Sequence, residues 1–221
     1  MTEKIEVSYS TEIDLGEISY EDDSLNTVIA KNSINRGAMQ KLSELKELLD
    51  FLEDKPMNTV VEIGTATGGT FYAFCQIAPS DAHIISIDLP GGPFGGGYEV
   101  EDVQVFKTYA KVGQTIFFMR EDSHQEETKK GLLERLKERK IDVLFIDGDH
   151  TYEGVKKDFE MYEPLVAKGG IIIFHDICKH ATAPDCQVDR FWNQIKHQYK
   201  FKEFIDKNEA DWGGIGVLIK D

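Results

Sequence analysis

Cysteine is scarce in this chain: three residues among 221, Cys75, Cys178 and Cys186. An odd number without a C-x-x-C pair argues against a disulfide framework and against a cysteine-built zinc motif, and it fits reduced thiols in a cytoplasmic compartment. Basic residues are also short, 25 Lys and Arg against 40 Asp and Glu, for a formal net charge of −15. A surface of that sign repels phosphate backbones and anionic headgroups, so neither nucleic acid nor a membrane surface is an expected partner. No apolar run approaches the ~20 residues of a membrane span. The opening Met1-Thr2-Glu3-Lys4 lacks the apolar core of a signal peptide. No internal repeat is visible. What the chain does have is 41% hydrophobic residues, enough for one large domain, or one domain with an appendage.

Residues 1–36 are acidic and weakly patterned, with Glu21-Asp22-Asp23-Ser24 reading as a turn, and are expected to form an N-terminal arm or lid. Residues 37–221 read as the main domain. Its first helix is expected from near Gly37 to Asp54, with Leu42, Leu45, Leu49 and Leu52 on one face, Asn35 or Ser33 as cap and Pro56 beyond its end. From residue 59 strands and helices alternate. Strands are predicted at Thr59–Ile63, His83–Asp88, Thr115–Met119, Ile141–Asp147 and Gly170–Asp176, followed by a closing hairpin of Phe201–Ile205 and Gly214–Ile219. Phe71, Phe74, Cys75 and Ala78 mark one intervening helix. A second runs from about Gln125 to Arg139, with Leu132, Leu133 and Leu136 inward. Val155, Phe159, Tyr162 and Val166 mark a third, kinked at Pro164 and ended by Lys168-Gly169. Val188, Phe191, Trp192 and Ile195 mark a fourth. The fold class is therefore α/β, a doubly wound seven-stranded, mostly parallel sheet with one antiparallel strand.

The first strand ends in a glycine turn, Glu62-Ile63-Gly64-Thr65-Ala66-Thr67-Gly68-Gly69-Thr70. Its G-x-x-x-G-G spacing differs from the G-x-G-x-x-G of dinucleotide folds. In an open α/β sheet, ligand lies beyond the carboxyl ends of the strands, where backbone must approach it closely. Glu62 adds a carboxylate suited to a cationic ligand. Asp88 ends the second strand, and Glu121-Asp122-Ser123 follows the third. The fourth and fifth strands end in Asp147 and Asp176, one βαβ unit apart, so the two acids are expected at neighbouring strand ends, roughly 4.8 Å apart. Carboxylates that close repel unless a proton or cation intervenes. Oxygen donors suit Mg²⁺, and the nearby His150 and His175 would also admit Mn²⁺.

The glycine turn resembles motif I of class I S-adenosylmethionine (SAM)-dependent methyltransferases. Together with Asp147-Gly148-Asp149-His150-Thr151-Tyr152-Glu153-Gly154-Val155 and the strand running from Gly169-Gly170 to His175-Asp176, it is similar to the small cephalosporin hydroxylase-like methyltransferases. Their core is similar to that of metal-dependent catechol and macrolide-sugar O-methyltransferases. The resemblance covers about residues 37–180 and implies a Rossmann-like fold that binds SAM. It implies cofactor contacts at Glu62, Gly64, Thr65, Gly68, Gly69, Thr70, Asp88, Asp122, Ser123 and Asp147. The ammonium would fall to Glu62, the carboxylate to Thr65 and Thr70, the ribose hydroxyls to Asp88 and the adenine to the segment after the third strand. It further implies metal binding at Asp147 and Asp176, with His175, Asp149 or an acid elsewhere as the third ligand, because the Asn that usually follows the second acid is Ile177 here. His150 occupies the place of the general base and Asp147 completes the catalytic pair; an unperturbed imidazole near pKa 6.5 would accept a hydroxyl proton.

The acceptor is expected to be a small hydroxylated metabolite, such as a sugar or polyketide-like compound, and the chain a homo-oligomer, with a dimer in view. The glycine-rich loop Leu89–Tyr98 reads as a cover carrying Phe94 and Tyr98, and Arg36–Gln40 as a border of the acceptor pocket. His180 and His197 read as surface residues. Three other readings stay open at this level: a metal-independent methyltransferase, a non-haem iron oxygenase using His150, His175 and a carboxylate, and a SAM-binding protein without turnover.

Overall fold

A computed structural model describes residues 23–221. Of the expected arm, residues 1–22 lie outside the described residues. Residues Leu25–Asn35 form helix α1, capped by Ser24, whose hydroxyl accepts from Thr27 N. After a turn at Arg36-Gly37 the chain enters α2, Leu42–Leu52. The helix expected from Gly37 to Asp54 is therefore shorter, and its expected caps belong elsewhere: Ser33 and Asn35 lie inside α1, and Gly37 takes φ +90°, where a helix cannot pass. Leu45, Leu49 and Leu52 are buried as expected, joined by Leu48, while Leu42 is exposed.

The remaining elements follow the alternation. They are β1 (Thr59–Ile63), α3 (Gly69–Ile77), β2 (His83–Asp88), α4 (Asp102–Lys107), β3 (Thr115–Arg120), α5 (Glu126–Leu136), β4 (Ile141–Ile146), α6 (Tyr152–Tyr162), β5 (Val166–His175), α7 (Val188–Ile195), β6 (Lys200–Phe204) and β7 (Ile215–Ile219). The described strands form one sheet in the order β3-β2-β1-β4-β5-β7-β6. β7 runs antiparallel to both its neighbours and every other pairing is parallel. This is the doubly wound sheet with one reversed strand that the alternation predicts.

Two details differ from expectation. Helix α6 stops at Tyr162, because Pro164 cannot continue it and a short 3₁₀ turn follows. Val166 and Lys168-Gly169 thus belong to β5, which begins earlier than its apolar run. On α5, Leu132 and Leu136 are buried but Leu133 is exposed. Otherwise the central strands carry apolar side chains on both faces. One core layer lies against α1, α2 and α3, and the other against α5, α6 and α7. The four apolar positions expected on α7 are all buried.

The order reverses between β1 and β4, so the connections leaving their carboxyl ends diverge to opposite faces and open a crevice. Buried Glu44 on α2 braces the β6–β7 connection across it, accepting from Asp206 N and Gly214 N, each at 2.9 Å. Lys41 Nζ donates to Trp212 O at 2.8 Å and holds that loop at the crevice mouth.

Candidate functional site

A cavity of about 520 Å³ fills this crevice. The glycine turn forms one wall, the segments after β2 and β3 a second, and the segments after β4 and β5 a third. Of the residues expected to bind cofactor, Gly64, Thr65, Gly69, Thr70, Asp88, Asp122, Ser123 and Asp147 line it.

The turn's conformation is imposed by its surroundings. Gly64 has φ +85°, and a Cβ there would stand 2.0 Å from Asp147 O. Only glycine lets the β1 turn lie against the chain leaving β4. Ala66 also holds a positive φ, +45°, a conformation costly for an L-residue unless neighbours enforce it. Asp88 enforces it: one of its oxygens accepts from Thr65 N at 2.8 Å and Ala66 N at 2.6 Å. Burial pushes the Asp88 carboxyl up, opposed by the backbone N–H groups of Ala66, Thr65 and Leu89. Asp88 thus clamps the turn while facing the cavity.

Glu62 and Gly68 are placed differently from expectation. Glu62 is fully buried and does not line the cavity. Its two oxygens accept from the hydroxyls of Thr65 (2.7 Å) and Thr70. Burial lifts its carboxyl from 4.5 to about 8, so at neutral pH it is mostly uncharged and works as an internal strut. The Thr65 and Thr70 hydroxyls are directed at Glu62, so neither is free to donate to a ligand carboxylate. Gly68 packs against the Phe106 ring, away from the cavity.

Beyond β3, Asp122 accepts from His124 N (2.8 Å) and Gln125 Nε2 (2.7 Å), caging the entry to α5. His124 lines the cavity and lies 3.3 Å from Asp158, which is fully buried. The loop after β2 covers the opening with Phe94, whose ring stacks on His150 at 4.8 Å. Tyr98, the other expected cover residue, turns inward: it is buried, accepts from Ser86 Oγ at 3.1 Å and packs on Phe106 and Phe118.

The third wall gathers the chemistry. His150 lies just before Thr151, the cap of α6, with Nε2 3.3 Å from Asp147 and Nδ1 3.4 Å from Asp176. His175 Nδ1 lies 3.3 Å from both aspartates. The two acids expected side by side are therefore bridged by two imidazoles. Burial alone would lower His150, but its hydrogen bonds to Asp147 and Cys186 and the charges of Asp147 and Asp176 prevail and raise it to about 11. His175 rises to about 10, the two aspartates again overcoming burial. Burial opposes ionisation of Asp176, yet His175 and His180 hold its carboxyl well below the usual carboxylate range. Asp176 has φ +62°, a strained value that turns its side chain back into the cluster. The imidazole expected near 6.5 is thus a charged one here.

Three further residues join this cluster: Gln40, expected only at the pocket border, and His180 and Cys186, neither of them read as a site residue in the sequence. Gln40 Nε2 donates to Asp147 at 2.8 Å. His180, expected at the surface, lines the cavity with Nε2 2.8 Å from Asp176. Cys186 lines it beside His150. Gly37 to Gln40 border the cavity as expected, whereas Arg36 points away and lies over Tyr72. Donor atoms of Asp147, His175 and Asp176 lie within 4.8 Å of one another, while Ile177 is buried and supplies no donor.

Residues 61–177, just over half of the chain, match the family model described as a methyltransferase domain, and the chain belongs to that family. Its fold is that of the class I methyltransferases. Similar solved structures include the O-methyltransferase TomG from Streptomyces achromogenes, involved in tomaymycin synthesis and in complex with SAM. It has a TM-score of 0.59 and 13% identity, over 90% of this chain and 91% of that one. An O-methyltransferase from Bacillus cereus in complex with SAH has a TM-score of 0.57 and 14% identity, over 94% and 95% of the two chains. The N-methyltransferase NodS from Bradyrhizobium japonicum has a TM-score of 0.54 and 11% identity, over 79% and 93%. At these identities the likeness is one of fold. Among curated proteins, the uncharacterized protein y4gI of Sinorhizobium fredii is 29% identical over 120 residues, 53% of this chain and 13% of its own length. The uncharacterized protein R132 of Acanthamoeba polyphaga mimivirus is 50% identical over 44 residues, 20% of either protein. The chain therefore aligns with only a small part of each curated relative. No helix among the described residues is long and apolar enough to cross a membrane.

Proposed function

We propose that this chain transfers the methyl group of SAM to a hydroxyl oxygen of a small metabolite, with a divalent cation held by Asp147, His175 and Asp176. The observation that carries this reading is the meeting, in one cavity, of the glycine turn clamped by Asp88 and the Asp147–His150–Asp176 cluster. The residues fit the cofactor: a 520 Å³ hollow at a topological switch point, lined by the glycine turn at Gly64 and Gly69 and by acids at the ends of β2 and β4. When bound, SAM supplies an electrophilic methyl carbon on a sulfonium. The donor set also fits a cation once the His175 imidazole gives up its proton to solvent, and its mix of imidazole and carboxylate suits Mn²⁺ better than Mg²⁺. Such an ion supplies positive charge that lowers the pKa of an acceptor hydroxyl.

The chain's own residues then have separable tasks. Gln40 fixes Asp147 from the opposite wall. His150 takes the hydroxyl proton, which requires its neutral form; the two aspartates permit that form once their charge is balanced from the cavity. Phe94 covers the imidazole and keeps water from it. Positioning of the acceptor oxygen in line with the methyl group accounts for most of the rate. The acidic cluster and the net charge of −15 favour a neutral or cationic acceptor, such as a sugar or polyketide-like alcohol, over a polyanion.

Calorimetry with SAM, followed by turnover with a panel of hydroxylated acceptors with Mn²⁺, Mg²⁺ or EDTA, tests this reading. Micromolar binding of SAM and metal-dependent methylation of an alcohol are expected. Absence of SAM binding would overturn it, and methylation unaffected by EDTA would remove the cation from it.

A further inference from the structure

We infer that His150, Asp176 and Cys186 form a site for a thiophilic divalent cation, Zn²⁺ by its ligand chemistry, distinct from the Asp147–His175–Asp176 set and sharing Asp176 with it. One donor atom from each of the three residues lies within 4.8 Å of the others, and His150 Nδ1 is 3.4 Å from Asp176. A tetrahedral zinc centre separates its nitrogen, oxygen and sulfur donors by roughly 3.3–3.8 Å, given Zn–N and Zn–O bonds near 2.1 Å and Zn–S near 2.3 Å. Small side-chain movements close the triad around an ion.

The backbone holds these donors in place. Cys186 N donates to Ala183 O at 3.0 Å and Gln187 N to His150 O at 2.7 Å, so the cysteine segment is bonded directly to the histidine it faces. Asp176 is turned toward both by its positive φ and held by His180. Phe94 covers the face of the His150 ring, leaving the two nitrogens at its edge to point apart, Nε2 to Asp147 and Nδ1 to the Asp176 side. The other cysteines do not line the cavity: Cys75 is wholly buried on α3, and Cys178 packs against Gly214.

The ligand set selects the ion. A thiolate, an imidazole and a carboxylate suit Zn²⁺ or Co²⁺ and are poor ligands for Mg²⁺. Three protein donors leave a fourth position on the cavity side for water. Binding displaces the thiol proton and the Nδ1 proton of the charged His150 imidazole to solvent as the metal–sulfur and metal–nitrogen bonds form. With an ion on Nδ1 and on Asp176, neither group serves proton transfer, so zinc suppresses turnover. That consequence rests on the function proposed above, whereas the binding does not.

The test titrates the 221-residue chain with Co²⁺ in the absence of SAM. A near-ultraviolet thiolate-to-cobalt charge-transfer band is expected, discharged by added Zn²⁺. It is expected to vanish in Cys186→Ser and to persist in the double variant Cys75→Ser/Cys178→Ser, which assigns the sulfur even where Cys186→Ser fails to fold. Loss of this ligand should weaken Zn²⁺ by about tenfold or more, at least the cost of losing a group that merely supports a ligand. No band at saturating Co²⁺, or a band that survives Cys186→Ser or is lost in the double variant, would overturn the inference.

Discussion

Gln40 Nε2 donates to Asp147 Oδ2 at 2.8 Å, joining the α1–α2 corner to the end of β4 across 107 residues of chain. Both residues face the cavity, and Gln40 is 5% exposed. The bond fixes the carboxylate that neighbours both His150 and His175. Gln40→Ala should lower kcat by about tenfold or more, as loss of groups that orient ligands does, with little change in SAM affinity. Gln40→Glu should be worse, since it sets two carboxylates against each other. Steady-state kinetics with calorimetry checks both.

His150→Ala should remove turnover by about 10²–10⁴-fold, the usual contribution of a general base. SAM affinity should stay nearly intact, because none of the side-chain bonds that hold the glycine turn comes from His150. Equal loss of turnover and of binding would make this histidine a prop of the cofactor wall instead.

Gly64→Ala and Gly96→Ala separate strain from collision. Both glycines have positive φ, +85° and +77°, so both substitutions incur a conformational penalty of about 1 kcal/mol or more. At Gly96 a new Cβ meets nothing within 4 Å, whereas at Gly64 it would stand 2.0 Å from Asp147 O. Thermal melts should show a modest loss for Gly96→Ala, and a severe loss or failure to fold for Gly64→Ala. Similar melting points would mean that β1 and β4 part easily.

Glu62 gives stability a pH dependence of definite sign. Burial holds its carboxyl near 8 in the folded chain against 4.5 when exposed. Between these values the folded protein keeps a proton that the unfolded chain has released. Its contribution is complete below pH 4.5 and declines as pH rises toward 8, by at most about 1.4 kcal/mol per unit. His150 and His175, raised to about 11 and 10, add a similar decline, but only above about pH 6.5. Between 4.5 and 6.5 the Asp88 carboxyl, also raised by burial, adds a decline of the same sign and His83, lowered by burial, opposes it, so Glu62 is read from the difference between the wild type and a Glu62 variant. Glu62→Gln should flatten the urea-derived stability curve there; an unchanged slope would mean that Glu62 ionises freely.

The strands were legible because buried parallel strands are nearly continuous apolar runs, and the acids at their ends follow from counting: Asp88, Asp147 and Asp176 all reach the cavity. Helix α1 was not legible. Its apolar residues are spread around the helix, while Asn26 and Ser33 are buried, so periodicity gives no face. Glu62 illustrates a different limit. A strand-end acid reads as a ligand group, but its residue type does not show that the hydroxyls of Thr65 and Thr70 will occupy both of its oxygens. Gln40, His180 and Cys186 come from loops whose spacing carries no period; only tertiary folding brings them to the aspartates.

Helix α1 also has a mechanical role. Thr67 Oγ1 donates to Gly37 O at 2.8 Å, and Gly69 sits so tightly under the corner that a Cβ would stand 2.4 Å from Ala38 N and 2.6 Å from Ser33 O. The glycine turn and the α1–α2 corner are therefore packed as one unit, and a larger side chain at Gly69 would have to push the corner away from the turn.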